Sequence, residues 1–121
     1  MFRSIRSTRS TAAALVLVLI ATATAFGGAG ALRGTETVDA HSTNVHRIWF
    51  DGGAPARVLV VGDGDTDLDV RVYDRFGQFV ASDLDGTDTC LVEWRPVRGG
   101  FYRIEVRNLS DVYNEYAIGT N

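Results

Sequence analysis

Short runs in which apolar and polar residues alternate with a period of two constrain this chain more than any other feature. Leu68 to Tyr73 places Leu, Val and Val on one side and Asp, Arg and Tyr on the other. Phe101 to Arg107 alternates in the same way, with Phe, Arg, Glu and Arg sharing one side. Successive side chains of a strand point to opposite sides of a sheet. These runs therefore predict antiparallel strands with one dry and one wet side.

Gly, Asp and Pro separate further runs of the same kind. Strands are predicted at 45–50, 56–61, 68–73, 78–82, 90–94, 101–107 and 112–118. A polar lead-in, residues 32–44, precedes them and leaves room for one more strand. Seven to eight short strands with turn residues at this spacing are typical of an all-β sandwich or barrel. We therefore expect one antiparallel β domain over residues 45–121.

The N-terminal segment has the composition of an export signal. Arg3, Arg6 and Arg9 form a positive start without an acidic residue, and Ala12 to Ala25 is largely apolar. Small residues follow, and cleavage after Ala31 fits the small-residue rule. Residues 1–31 are therefore predicted to be a signal peptide of the Sec route, which indicates a secreted or periplasmic protein. The alternatives are cleavage at an earlier alanine or an uncleaved anchor.

Residues 32–121 carry nine arginines, no lysine and fifteen acidic residues, a formal net charge of −6. An acidic surface disfavours nucleic acids and anionic membranes as partners and favours cations. About ninety residues are enough for one modest core.

The order of several motifs resembles the bacterial pre-peptidase C-terminal domain family. The matching segments are residues 62–74, Gly77, 80–83, 94–96, 100–106 and 113–116. The resemblance implies a jelly-roll-like β-sandwich with a non-catalytic accessory role, usually behind a secreted protease, and some relatives bind calcium. No peptidase precedes the domain here, so a stand-alone module with its own partner is expected.

Acidic residues at alternate positions form a candidate calcium site. Hard cations take six to eight oxygen ligands, and crowded carboxylates repel each other unless a cation lies among them. The candidate ligands are Asp63, Asp65, Asp67, Asp69 and Asp74, completed by Asp83 or Asp85. The alternative is a solvated acidic turn and strand side that protects a sheet edge.

No motif predicts catalysis. His41 and His46 are five residues apart, which does not fit a zinc-binding helix, and both are expected at the surface. The serines lack a nucleophile elbow, so a small secreted hydrolase is disfavoured. Cys90 is the single cysteine, either a buried apolar side chain or the site of an intermolecular disulfide. We therefore predict a protein that is not an enzyme.

The aromatic residues allow two interpretations. Trp49, Trp94 and Tyr102 are predicted to lie in the core, because aromatic side chains supply much of the apolar area of small domains. Phe76, at the tip of a predicted hairpin, is the candidate for ligand binding by sugar stacking. The leading hypothesis is an exported binding or accessory module with an unknown protein or polysaccharide partner. The alternative is a carbohydrate-binding module of similar fold.

Overall fold

The computed structural model describes residues 33–64 and 66–121. The strands are β1 (Arg33–Val38), β2 (Thr43–Phe50), β3 (Ala56–Val61), β4 (Leu68–Tyr73), β5 (Phe79–Asp83), β6 (Thr89–Trp94), β7 (Gly100–Asn108) and β8 (Asn114–Thr120). No helix within these ranges is long and apolar enough to cross a membrane. The predicted signal peptide and Asp65 lie outside the described residues.

The eight strands form two antiparallel sheets of four. The strand orders are β1-β8-β3-β6, called sheet 1 here, and β2-β7-β4-β5, called sheet 2. The pairs β1–β8, β2–β7 and β3–β6 nest around the β4–β5 hairpin. This arrangement is the jelly roll, in which the chain wraps two sheets face to face. The predicted all-β, jelly-roll-like sandwich is confirmed.

The sandwich begins earlier than the sequence pattern indicated. Residues 33–38 of the predicted lead-in form β1, which pairs with β8 along its whole length. β1 is an edge strand, and most of its residues are polar and exposed or partly exposed. Val38 is its one completely buried residue. A strand of this kind has too few buried apolar residues for a clear period-two pattern.

The core lies between the two sheets and is built from the inward-facing residues of their strands. Its fully buried members are mainly valines, joined by Leu68, Ile104, Ile118 and Tyr116. Valine is β-branched and fits a pleated, half-buried surface. The alternation in β4 and β7 follows from this arrangement, because every second residue faces the opposite sheet.

The prediction that Trp49 lies in the core is wrong. Ile48 and Phe50 face inward on β2, so Trp49 between them faces out and is 50 % exposed. Trp94 and Tyr102 do pack against the core, with ring centroids 4.8 Å and 5.9 Å from that of Phe50.

A buried asparagine closes the end of the sandwich at the β1–β2 and β7–β8 turns. The Asn108 side-chain amide donates to the carbonyl oxygens of Val38, Asp39 and Val112 at 3.4, 3.2 and 2.7 Å. Its carbonyl oxygen accepts the backbone N–H of Ser110 at 2.9 Å. Each of these contacts pairs a polar group that would be costly to leave unsatisfied in the interior.

Candidate functional site

The acidic run after β3 begins with a structural carboxylate. Asp63 is buried, and it accepts hydrogen bonds from the Asn114 side-chain amide at 3.0 Å and from the backbone N–H of Glu115 at 3.1 Å. Gly62 allows this close approach, since a Cβ there would lie 2.5 Å from an Asp88 oxygen. Asp63 thus fixes the β3–β4 loop to the start of β8.

The next two described carboxylates lie close together at the start of β4. Asp67 Oδ1 is buried and has no hydrogen-bond partner among the described residues. Asp69 lies on the outer side of sheet 2, with Arg71 Nη2 4.0 Å from its carboxylate. Burial, followed by repulsion from Asp67, raises the pKa of Asp69 above its ordinary value.

The remaining candidate ligands hold turns. Asp74 Oδ1 accepts the backbone N–H groups of Phe76 and Gln78, each at 2.9 Å. Asp83 accepts the backbone N–H of Asp85 at 3.3 Å, and Asp85 accepts the N–H two residues further on. These contacts are Asx turns, in which a carboxylate replaces a backbone acceptor. Local backbone donors thus already use several of the proposed ligand oxygens.

Among residues 33–64 and 66–121, no three histidine, cysteine or acidic side chains come together as a metal-binding group. Asp65 lies outside the described residues. The calcium site consequently remains a prediction from the sequence.

The cysteine is a buried core residue, as its first interpretation predicted. Cys90 is fully buried, and its thiol contacts the Leu68 carbonyl oxygen at 3.1 Å. Burial, followed by the negative charge of nearby carboxylates, raises the pKa of the thiol to about 12. The thiol is therefore protonated and unreactive at neutral pH.

The two histidines differ in position. His41 is exposed, as expected, and lies 2.5 Å from an Asp111 oxygen. The expectation is wrong for His46, which is half-buried between the sheets and lies 2.7 Å from the Tyr116 hydroxyl. Asn44 donates to the same hydroxyl oxygen at 3.1 Å, which leaves the O–H free to donate to His46. Burial lowers the pKa of His46 below its ordinary value.

The outer side of sheet 2 carries a group of exposed and partly exposed arginine and aromatic residues. We call it the arginine–aromatic face: Arg47 and Trp49 on β2, Phe101, Arg103 and Arg107 on β7, and Arg71 and Tyr73 on β4. All seven occupy alternate positions of their strands and therefore point to the same side. Strand pairing, rather than any local motif, brings them together.

Two arginines face each other directly on this surface. Arg47 lies opposite Arg103 in the β2–β7 register, and like charges at such positions destabilise a sheet. Arg103 has a carboxylate partner, since its Nε lies 3.0 Å from Glu105 Oε2. Arg47 has no ion pair with any described residue. The register therefore places two arginines at directly paired positions of an exposed surface, and one of them has a carboxylate partner.

Aromatic rings hold the two guanidinium groups in place. The Arg47 guanidinium lies 3.9 Å from the Phe101 ring centroid, and that of Arg103 lies 4.5 Å from the Tyr73 centroid. Such cation–π contacts contribute about 0.5–1 kcal/mol at exposed sites. A stacked guanidinium keeps its in-plane N–H donors free for a carboxylate. The contacts thus orient donors toward solvent and cover part of the aromatic surface.

A groove of about 700 Å³ continues the face at one end of the sandwich. We call it the end groove; its lining includes Arg75, Phe76, Trp94, Arg95, Val97, Arg98, Phe101 and Tyr102. Phe76 is 74 % exposed at the β4–β5 turn, as predicted, and Val97 is 90 % exposed on the β6–β7 loop. Apolar side chains and guanidinium groups thus line the same groove.

Positive charge is concentrated on this side of an acidic domain. Seven of the nine arginines after residue 32 lie on the arginine–aromatic face or in the end groove. The two others, Arg33 and Arg57, lie on strands of sheet 1. Local attraction for an anion therefore exists in a protein whose net charge would repel one.

Local sequence patterns did not predict this surface. The alternation in β7 predicts which of its residues share one side, but not their alignment with Arg47 and Trp49 on β2 or with Arg71 and Tyr73 on β4. The available clue was the recurrence of arginine and aromatic residues at alternate positions in three predicted strands. Phe76 alone was identified as an exposed ligand-binding candidate.

No protein-family profile matches the sequence, and no curated protein matches it either. Solved structures that are similar to this chain include the following two. One is Aeromonas hydrophila PliG, a periplasmic lysozyme inhibitor of g-type lysozyme, with 15 % identity and a TM-score of 0.52 over 78 % of this chain and 89 % of PliG. The other is a de novo designed double-stranded β-helix, with 19 % identity and a TM-score of 0.44 over 74 % of this chain and 99 % of the design. The first similarity shows a shared fold.

Proposed function

We propose that this protein is an exported, non-catalytic binding module that engages a protein partner through the arginine–aromatic face. The observation that carries the proposal is the pair Arg47 and Arg103, directly opposite each other on an exposed sheet. Two like charges in register cost stability, and an anionic group bound between them would relieve that cost.

The exposed aromatic residues support a protein partner. Trp49 and Phe101 pack edge to face, with centroids 5.1 Å apart, next to the Arg47 guanidinium. Tryptophan, tyrosine, phenylalanine and arginine are enriched at protein interfaces, where Trp, Tyr and Arg contribute most of the binding energy. The composition of the face therefore matches that of an interaction surface better than that of ordinary solvent-exposed sheet.

Export and the absence of catalysis rest on other observations. The N-terminal segment has the composition of a secretory signal. The domain after it resembles pre-peptidase C-terminal domains, which implies an accessory role. The structural neighbour PliG is a periplasmic inhibitor of g-type lysozyme, so its role involves a protein partner. A similar fold thus serves protein binding in an exported protein, which is support by analogy.

A carbohydrate-binding function is the second candidate, because Phe76 is so exposed at the hairpin tip. The surrounding geometry favours it less. The Arg75 guanidinium lies 4.8 Å from the Phe76 centroid, and Phe101 is covered by Arg47. Sugar stacking needs a free ring face, and guanidinium groups occupy one face of both rings.

The test compares retention of proteins on the purified, exported chain immobilised in three forms: wild type, Arg47→Glu and Arg33→Glu. Arg33 lies on β1 of the opposite sheet, so it controls for the change in net charge. We expect a protein retained by wild type and Arg33→Glu and lost from Arg47→Glu. Equal retention by all three would contradict the proposal. Retention on insoluble polysaccharide that is lost in Phe76→Ala would favour the second candidate.

A further inference from the structure

We infer that the end groove binds a carboxylate-bearing, acidic polypeptide segment of the partner. This inference rests on the proposed function and specifies the chemistry of the partner. The groove is distinct from the Arg47–Arg103 pair, since its arginines are on the β4–β5 and β6–β7 loops.

The charge in the groove is positive and available. Arg75, Arg95 and Arg98 line it, and none of them forms an ion pair with a described residue. The acidic residue in the lining, Asp74, accepts the backbone N–H groups of the β4–β5 turn through Oδ1. Three guanidinium groups beside one carboxylate, in a domain of net charge −6, make a local site for anions.

The loop that carries two of these arginines is held in place. The Gly53 backbone N–H donates to the Pro96 carbonyl oxygen at 2.8 Å, and Arg95 Nη2 lies 3.4 Å from the Gly53 carbonyl oxygen. A Cβ on Gly52 would lie 2.6 Å from the Arg98 backbone, so the two loops are in close contact. Such restraint lowers the entropy lost when a ligand orders the loop.

The walls distinguish a polypeptide from a charged sugar. Val97 and Phe76 are largely exposed at the rim, where they offer apolar surface to side chains next to a carboxylate. Trp94 and Tyr102 lie with ring centroids 5.2 Å apart and pack against the core. The groove thus combines charge with apolar contact but offers few free ring faces. An acidic peptide with aromatic or aliphatic neighbours fits this surface.

The probe is a soluble peptide of Glu-Glu-Tyr repeats, titrated into the exported chain by calorimetry. Its neutral counterpart, with Gln in place of Glu, tests the need for carboxylates, and polygalacturonate tests an acidic polysaccharide. We expect the acidic peptide to bind, the neutral peptide to bind about tenfold more weakly or not at all, and salt to weaken binding.

The decisive variant is Arg95→Gln combined with Arg98→Gln. The matched control is Arg33→Gln combined with Arg57→Gln, which removes the same number of positive charges from sheet 1. We expect the double variant to lose about tenfold or more in affinity for the acidic peptide, and the control to bind like wild type. If the double variant fails to fold, Arg98→Gln alone tests the same inference, with a smaller expected loss of affinity for the acidic peptide. Arg98 forms no side-chain hydrogen bond or ion pair in the described part of the chain.

Two results would overturn the inference. One is wild-type affinity of the folded double variant for the acidic peptide. The other is tighter, arginine-dependent binding of polygalacturonate. If the double variant still retains the protein partner that Arg47→Glu loses, the groove inference fails while the proposed function stands. If no protein is retained by any form, the proposed function fails, whatever the peptide does.

Discussion

The outer sides of the two sheets differ in which charged residues lie opposite each other. On sheet 1, Arg57 lies opposite Glu93, and the two form an ion pair with 2.6 Å between Nε and Oε2. On sheet 2, Arg47 lies opposite Arg103, and no carboxylate of the described residues neutralises Arg47. The same fold thus contains one pairing that suits stability and one that opposes it. An anionic group bound at the Arg47–Arg103 pair would relieve the repulsion between them.

Substitutions in the core should have the largest effects on the free energy of unfolding. These effects should be similar in the two sheets, because the inner sides of both sheets belong to one core. Ile104 of sheet 2 and Ile118 of sheet 1 are both almost completely buried. Replacing either by alanine removes apolar contacts and leaves a cavity, so each change should lower the free energy of unfolding by about 3 kcal/mol. Urea unfolding followed by tryptophan fluorescence measures this. A large cost in one sheet and a negligible cost in the other would contradict a shared core.

A polar contact across the sandwich should make stability depend on pH. His46 of sheet 2 lies against Tyr116 of sheet 1, and burial lowers the pKa of His46 below 6.5. The unfolded chain then binds a proton more readily than the folded chain. Stability should therefore fall as the pH drops below about 6.5, by less than about 1.4 kcal/mol per pH unit for one proton.

The control for this pH dependence is His46→Gln, which retains a side chain able to form hydrogen bonds but does not titrate. Unfolding measured between pH 5 and pH 8 should show a shallower slope for the variant than for wild type. Identical slopes would mean that groups other than His46 control the response. Asp69 is not one of them, because a carboxyl group whose pKa is raised on folding stabilises the folded state as the pH falls.

Substitutions on the outer sides of the sheets should have the smallest effects on stability, and they test the comparison of the two outer sides most directly. Arg57→Gln removes a partly exposed ion pair and should lower the free energy of unfolding by about 0.5 kcal/mol. Arg47→Glu replaces a like-charge pair by an opposite-charge pair and should raise it by about 0.5 kcal/mol. Chemical unfolding at low ionic strength resolves the two. Destabilisation by Arg47→Glu would mean that its contact with Phe101 outweighs the repulsion.

The sequence predicted the fold better than the surface, and β2 shows why. Its apolar residues fall on both sides: Ile48 and Phe50 face the core, and Val45 and Trp49 face solvent. Asn44 also faces inward on β2, but its polar side chain gives no indication of this in the sequence. Asn44 is accommodated because Tyr116 of β8 accepts its hydrogen bond, a contact between residues far apart in the chain.

The candidate binding surface depends on strand register, which local patterns do not encode. The turns at Gly77 and elsewhere follow from residue preferences, and Gly77 has the positive φ of 80° that its position in the hairpin requires. In contrast, the meeting of Arg47 with Arg103 depends on pairing two strands that are separated by four others in the sequence. Alternation predicts which side a residue faces, but not its neighbour across the sheet.

The central claim is that sheet 2, and not sheet 1, presents the binding surface. Backbone chemical-shift mapping of the ¹⁵N-labelled exported chain with the Glu-Glu-Tyr peptide tests it without any mutation. We expect shifts around the end groove, including Phe101, which belongs both to the groove and to the arginine–aromatic face, with β3 and β6 unchanged away from the groove. Shifts concentrated on the outer side of sheet 1, around Arg57 and Glu93, would contradict it.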